Sequence, residues 1–289
     1  MPTDLAVAVF GLSAALSWGT ADFAGGLASR RMSSLAVVLS SQVLGVAVAA
    51  FAAIARAEPV PALADVLWGF AAGAGGGVAL VAFYRALAIG RVSTVAPIAG
   101  VLAAAVPIVA ASIEEGLPTA RQAAGIALAL VAVVLVSVAS EEDRLPAGES
   151  ARRTSIALAT IAGLGFGLFY VLIARVSDAL VFWPLVASRA ASITSVGVIA
   201  LLVGTSFAGG RAVLPLILVA GTLDVGGNAG FLLGAQAGRL DIASILASLY
   251  PIVTVALAIL VLRERVGPRH AIGMAAAGAA IVLIAGASG

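Results

Sequence analysis

Three ionisable side chains stand inside otherwise apolar stretches: Asp22, Arg189 and Asp224. A charge in hydrocarbon is costly, so such residues bind something, move something or pair with one another. Asp224 is the deepest of the three. Asn228 follows it by four residues and shares its helical face. Gly221 precedes it and Gly226-Gly227 follow, which lets a neighbouring helix approach or the backbone open. Asp224 and Asn228 therefore read either as a site or as an interhelical polar contact. Asp22 shares a face with Trp18 at the same spacing. Tyr84-Arg85 closes a span on the same side, so an Asp22–Arg85 ion pair is expected. Arg189 lies about six residues into its span, roughly 9–10 Å at the helical rise. It snorkels to the surface, pairs within the protein or meets an anionic group.

Amide and aromatic residues extend the set. Gln42 lies within the second apolar window. Phe166, Phe169 and Tyr170 form a stripe on the sixth, a pattern that serves packing more often than a cage. Tyr250-Pro251 interrupts the ninth, where a proline frees backbone groups. The expected substrate contacts are Trp18, Asp22, Gln42, Tyr84, Tyr170, Asp224, Asn228 and Tyr250. Asp224 leads, and Asp22 follows, as the group coupled to a proton or other cation. Arg189 is the candidate anion contact.

Other chemistry is missing. His270 is the only histidine and falls in the loop segment 263–270; with no Cys there is no disulfide, thiol catalysis or Cys-metal site. The run Gly73-Ala74-Gly75-Gly76-Gly77 suits close helix packing. No Gly-Lys-Ser/Thr follows it, so it does not read as a phosphate loop. No enzyme activity, cofactor or metal is expected.

These residues need elements to hold them. The chain has 289 residues, 62% apolar and 10% charged, with a mean hydropathy of +1.16. A soluble domain carries about 45–50% apolar and about 25% charged residues, and a disordered chain is more polar still. The class is therefore an all-α polytopic membrane protein, in contact with lipid. Ten spans are predicted near 5–27, 34–55, 62–84, 92–111, 120–140, 154–174, 183–205, 212–236, 241–262 and 269–287. No Lys or Arg precedes the first window and Arg30-Arg31 follow it, so it reads as a retained span rather than a signal peptide. All 16 basic residues are Arg. They scatter through loops and mark topology rather than nucleic-acid binding.

Residues 141–153 form the one sizeable polar stretch and read as a cytoplasmic linker at the midpoint. Shifting the chain by 148 residues sets Gly19 on Gly167, Ser29 on Ser177, Phe83 on Phe231, Gly90-Arg91 on Gly238-Arg239 and Arg121 on Arg269. Two five-span repeats are expected, 1–140 and 154–289. Five is odd, so the second repeat enters the membrane with opposite orientation. Such halves exchange shapes, which is the basis of alternating access. Eleven Arg residues fall in loops on one side and four on the other, with Arg189 inside a span. The positive-inside rule makes the richer side cytoplasmic and sets both termini outside. The chain holds both halves, so a functional monomer is expected.

The sequence resembles the EamA family of the drug/metabolite transporter superfamily. Trp18-Gly19 followed by Phe23 is similar to its Trp-Gly-x-x-Phe signature, with one extra residue. Residues 243–254 resemble its penultimate-span motif, and Arg263-Glu264-Arg265 resembles its Gly-Glu-Arg turn with Arg for Gly. The first-half turn, Glu114-Glu115-Gly116, departs further. The resemblance implies a ten-helix fold with a central cavity, and export of small metabolites or drugs, amino acids often among them. It supplies no universal catalytic residue. The expected function is a secondary active exporter of the cytoplasmic membrane. The alternative is a non-transporting membrane sensor or assembly subunit, marked by a co-purifying partner and no counterflow.

Overall fold

A computed structural model describes residues 3–114, 120–137, 148–177, 179–237, 246–247 and 249–285. Among them run ten helices: α1 (Thr3–Ala28), α2 (Ser34–Ala55), α3 (Leu63–Ile89), α4 (Val92–Glu114), α5 (Ala120–Ser137), α6 (Gly148–Ile173), α7 (Phe182–Leu202), α8 (Gly210–Gln236), α9 (Tyr250–Leu262) and α10 (Pro268–Ala285). Six of them (α1, α2, α3, α6, α7 and α8) are long and apolar enough to cross a membrane; α4, α9 and α10 carry shorter apolar stretches. This is the build of a polytopic membrane protein.

Periodicity explains the burial of each helix. On α1, Leu5, Val9, Leu12 and Leu16 recur every three or four residues and are exposed. Val7, Ala14, Trp18 and Asp22 occupy the opposite face and are buried. The exposed stripe is apolar, the reverse of a soluble helix. Phe51 on α2, 74% exposed, and Leu201 on α7, 84% exposed, continue this lipid-facing surface.

The structure moves three predicted boundaries. Helix α3 continues to Ile89, a turn beyond expectation. Helix α6 begins at Gly148, inside the stretch expected as a linker. Glu149 bonds Arg152 at 2.6 Å and Arg153 at 3.1 Å, three and four residues on, which favours helix there. Residues 138–147 of that stretch lie outside the described residues. Helix α9 begins at Tyr250, with Pro251 in its first turn. Residues 246–247 are helical as well, so Pro251 stands in the first turn after a break, where its missing N–H costs nothing. Residues 243–245 and 248 of the penultimate-span motif, Glu115-Gly116 and the His270 side chain also lie outside what is described.

Shifted by 148 residues, α2 falls on 182–203 and α5 on 268–285, against α7 at 182–202 and α10 at 268–285. The packing follows the same exchange. Helix α1 packs on α8, and its counterpart α6 packs on α3; α3 packs on α7 as α8 packs on α2. Helix α4 packs on α6 as α9 packs on α1.

Two ends are held by polar contacts. At one, Arg30 Nη2 donates to the Leu87 carbonyl at 3.4 Å, and Arg91 Nε meets Glu264 Oε1 at 3.2 Å. The second Glu264 oxygen accepts the Ser93 N–H at 3.3 Å, at the start of α4, and Arg91 also donates to the Arg265 carbonyl. At the other end, the Glu58 carboxylate accepts backbone N–H groups of Val181, Phe182 and Trp183 at 2.9–3.3 Å, capping α7. Nearby, Asp65 accepts the Ser177 N–H at 2.9 Å.

Candidate functional site

Small residues first make the space. Gly69, Gly73 and Gly77 recur every four residues on α3, and Pro184, Ser188 and Ser192 recur at the same spacing on α7. A Cβ on Gly69 or Gly73 would run into the Pro184 or Ser188 carbonyl, and one on Gly77 into Ser192. The two helices touch along this seam because side chains are missing there. On α8, Gly227 gives its place to the Trp18 indole of α1. The Gly-Gly step thus serves helix approach, not backbone opening, since α8 runs unbroken through it.

Between the halves lies a cavity with about 570 Å³ of empty space, part of it continuous with solvent. Its wall takes Trp18 and Asp22 from α1, Gln42 from α2, and Gly73, Gly76, Gly77 and Leu80 from α3. Helix α6 adds Phe166, Phe169 and Tyr170; α7 adds Ser188, Arg189 and Ser192. Asp224 and Asn228 of α8 and Tyr250 of α9 complete it. The cavity thus gathers seven of the eight expected substrate contacts, together with Arg189. Tyr84 is the exception. It continues the Gly76–Leu80 face one turn further, past the wall, where its ring lies against Gly25 of α1.

The polar side of the wall is a knot of three helices. Arg189 Nη2 meets Asp224 Oδ2 at 2.7 Å, with side chains 7% and 19% exposed. Arg189 Nη1 donates to Gln42 Oε1 at 3.1 Å. Gly45 on α2 leaves room beside the guanidinium, which a Cβ would crowd at 3.3 Å. Arg189 therefore pairs inside the protein and does not snorkel. Asn228 Nδ2 donates to the Asp224 carbonyl at 2.7 Å and lies 3.4 Å from its Oδ1. That contact is within one helix; the contact between helices is the Asp224–Arg189 pair.

The expected Asp22–Arg85 pair does not form. Arg85 is exposed, whereas Asp22 is buried and turned to the cavity. Among the described residues Asp22 has neither a cationic partner nor a hydrogen bond. The Tyr250 hydroxyl and the Ser192 hydroxyl are also buried without a hydrogen-bond partner.

The aromatic side is a cluster. The Trp18 ring centroid lies 6.0 Å from Tyr170, 5.9 Å from Phe231 and 6.2 Å from Tyr250, the last edge-on. Phe169 stands edge-on to Tyr170 at 5.9 Å, and Phe166 to Phe83 at 5.4 Å. Phe166, Phe169 and Tyr170 thus pack and line the cavity at once. Thr254 of α9 fixes Tyr250 to α1 by donating to the Gly19 and Tyr250 carbonyls at 3.2 and 3.1 Å. Sequence reading overlooked Leu80, Ser188, Ser192 and Phe231. The four-residue spacing of Ser188 and Ser192, matching Gly73 and Gly77, was the available signal.

The chain can now be set beside known proteins. The sequence profile described as "EamA-like transporter family" matches twice, over residues 5–138 and 153–286. The two stretches start at 5 and 153, the same 148-residue shift. No curated protein matches the chain. Solved structures share the fold: one, described only as "Crystal structure of protein", has a TM-score of 0.63 and is 16% identical, covering 96% of this chain and 95% of that chain. At that identity the likeness concerns the fold alone.

Proposed function

The chain belongs to the EamA-like transporter family, and from that premise we propose that it is a secondary active transporter that exports small solutes by alternating access. Ten spans, as two five-helix repeats (1–140 and 154–289) of opposite orientation, would rock about the cavity between them. The membrane is the cytoplasmic membrane, with the Arg-rich loops inside and both termini outside. The solute is a small metabolite, amino-acid-like, or a drug. The protein works as a monomer, since one chain supplies both sides of the cavity.

The observation that carries this reading is the polar knot set in a cavity between apolar helices. A buried Arg–Asp–Gln–Asn network facing a cavity beside an aromatic cluster is costly in a span, and such residues mark a functional site by default. Coupling runs through the carboxylates. Arg189 already balances Asp224, so the weight shifts from Asp224 to Asp22. Asp22 is the group left to take up and release a proton or another cation during the cycle.

Counterflow in proteoliposomes tests the reading. A panel of amino acids, nucleosides and cationic drugs is offered, and at least one labelled solute is expected to exchange. Asp22→Asn is expected to keep exchange of a neutral solute while losing gradient-driven accumulation. Silence across the panel, with a partner protein that co-purifies, would favour the sensor or assembly-subunit alternative.

A further inference from the structure

We propose that the cavity binds an organic ammonium ion, its charge on Asp22 and its carbon skeleton among the rings of Trp18, Tyr170 and Tyr250. The physiological use of this site rests on the transporter reading; the binding itself does not.

The argument begins with charge. The charged side chains on the cavity wall are Asp22, Asp224 and Arg189. Arg189 is engaged by Asp224 at 2.7 Å and by Gln42 at 3.1 Å, with its Nε buried beside Gly45 and without a hydrogen-bond partner. Asp22 is 8% exposed and faces the cavity with no ion pair or hydrogen bond among the described residues. A buried carboxylate without a cation is costly, so Asp22 calls for a proton or a cationic ligand beside it. An anionic solute would have to compete with Asp224 for Arg189 and would still leave Asp22 unbalanced.

The surroundings select the kind of cation. Trp18 precedes Asp22 by one helical turn, and its ring lies 6.0 Å from Tyr170 and 6.2 Å from Tyr250. Both tyrosines are within electrostatic reach of Asp22. The Tyr250 hydroxyl is buried and unpartnered, a further polar atom awaiting a ligand. Aromatic faces and edges attract an ammonium whose charge is spread over C–H and N–H groups. Ca²⁺ and Mg²⁺ instead take six or more oxygen ligands, and the described residues hold no group of three or more His, Cys, Asp or Glu side chains that could bind a metal ion. The empty space, about 570 Å³ counting the part open to solvent, limits the ligand to a small molecule.

The full chain in lipid nanodiscs, with no gradient, gives a direct test by calorimetric titration. The probes are tetraethylammonium and phenethylammonium, with phenylacetate, benzyl alcohol and sodium chloride as controls. Saturable binding is expected for the two ammonium ions and not for the controls. Asp22→Asn is expected to weaken it about thirtyfold or more, Asp22→Glu far less, and Trp18→Leu about three- to tenfold. If Asp22→Asn does not fold, Trp18 fluorescence in a Trp68→Phe/Trp183→Phe background replaces it, and tetraethylammonium must change that signal saturably. Equal binding of phenylacetate or benzyl alcohol, binding unaffected by Asp22→Asn, or an unchanged Trp18 signal overturns the proposal. Counterflow of a neutral or acidic solute without ammonium binding would sink this inference and leave the transporter reading standing. Ammonium binding without any counterflow would do the reverse.

Discussion

Where α8 puts Asp224 and Asn228 on the cavity wall, α3 puts Gly76 and Leu80 at the positions 148 residues earlier. Around these positions the two helices behave alike. Gly73 of α3 packs on the Ser188 carbonyl of α7, and its counterpart Gly221 of α8 packs on the Ser41 carbonyl of α2. They differ on the stripe that faces the cavity. On α3 the missing side chain at Gly76 admits the Phe169 ring. On α8 the same place carries the carboxylate that holds Arg189. The duplicated scaffold has thus kept one close packing position, Gly73 and Gly221, and placed the polar residues of this stripe on α8, while Asp22 and Gln42 reach the same cavity from the first half. The cavity is built nearly twofold and charged asymmetrically.

Perturbations rank by how deeply they cut into this asymmetry. The largest effect is expected from Arg189→Met, which strands Asp224 and costs about 3–5 kcal/mol of stability in a denaturant titration in detergent. Adding Asp224→Leu is expected to recover much of the loss, because the stranded charge goes with it. Next come Gly73→Ala and Gly221→Ala. Each drives a methyl into a backbone carbonyl that cannot yield, so both lose about 1–3 kcal/mol by the same titration. A loss at one site alone would break the packing equivalence of α3 and α8. Gly226→Ala is the control, since its nearest neighbour is 3.7 Å away, and no loss is expected there.

Smaller effects lie at the Arg-rich end, where the halves differ again. Glu264 pairs with Arg91 and caps α4, whereas its counterpart position in the first half is Gly116. Glu264→Ala is expected to cost about 1–2 kcal/mol, read as a lowered unfolding midpoint. The residue before it, Arg263, holds a left-handed backbone conformation with φ of 55°. Glycine adopts that conformation without strain, which accounts for the Gly of the family turn. Arg263→Gly is expected to gain about 1 kcal/mol, the smallest shift of the series.

Much of this was legible in the residues. Hydrophobic windows located the helices because lipid demands long apolar stretches. The buried polar residues pointed to the cavity, because a charge or amide inside a span is costly and needs a partner or a ligand. Pairing was not legible. Asp22 could reach Arg85 by spacing along α1 and α3, but which guanidinium turns inward depends on helix rotation and on the room left by Gly45. The placement of Tyr84 was lost for the same reason: a side chain on the right face stood one turn too far along. Pro251 marked the interruption of its apolar window, but not that a new helix begins at Tyr250.

The chain contains no Cys, so a single introduced thiol reports access without background. Leu80→Cys, opposite in the repeat to Asn228, places one on the cavity wall. In oriented proteoliposomes, membrane-impermeant maleimide is added to either face with and without transported solute. The account predicts labelling from both faces, slowed on both by the solute. Labelling from one face only, unchanged by any solute, would contradict a cavity that opens to each side in turn.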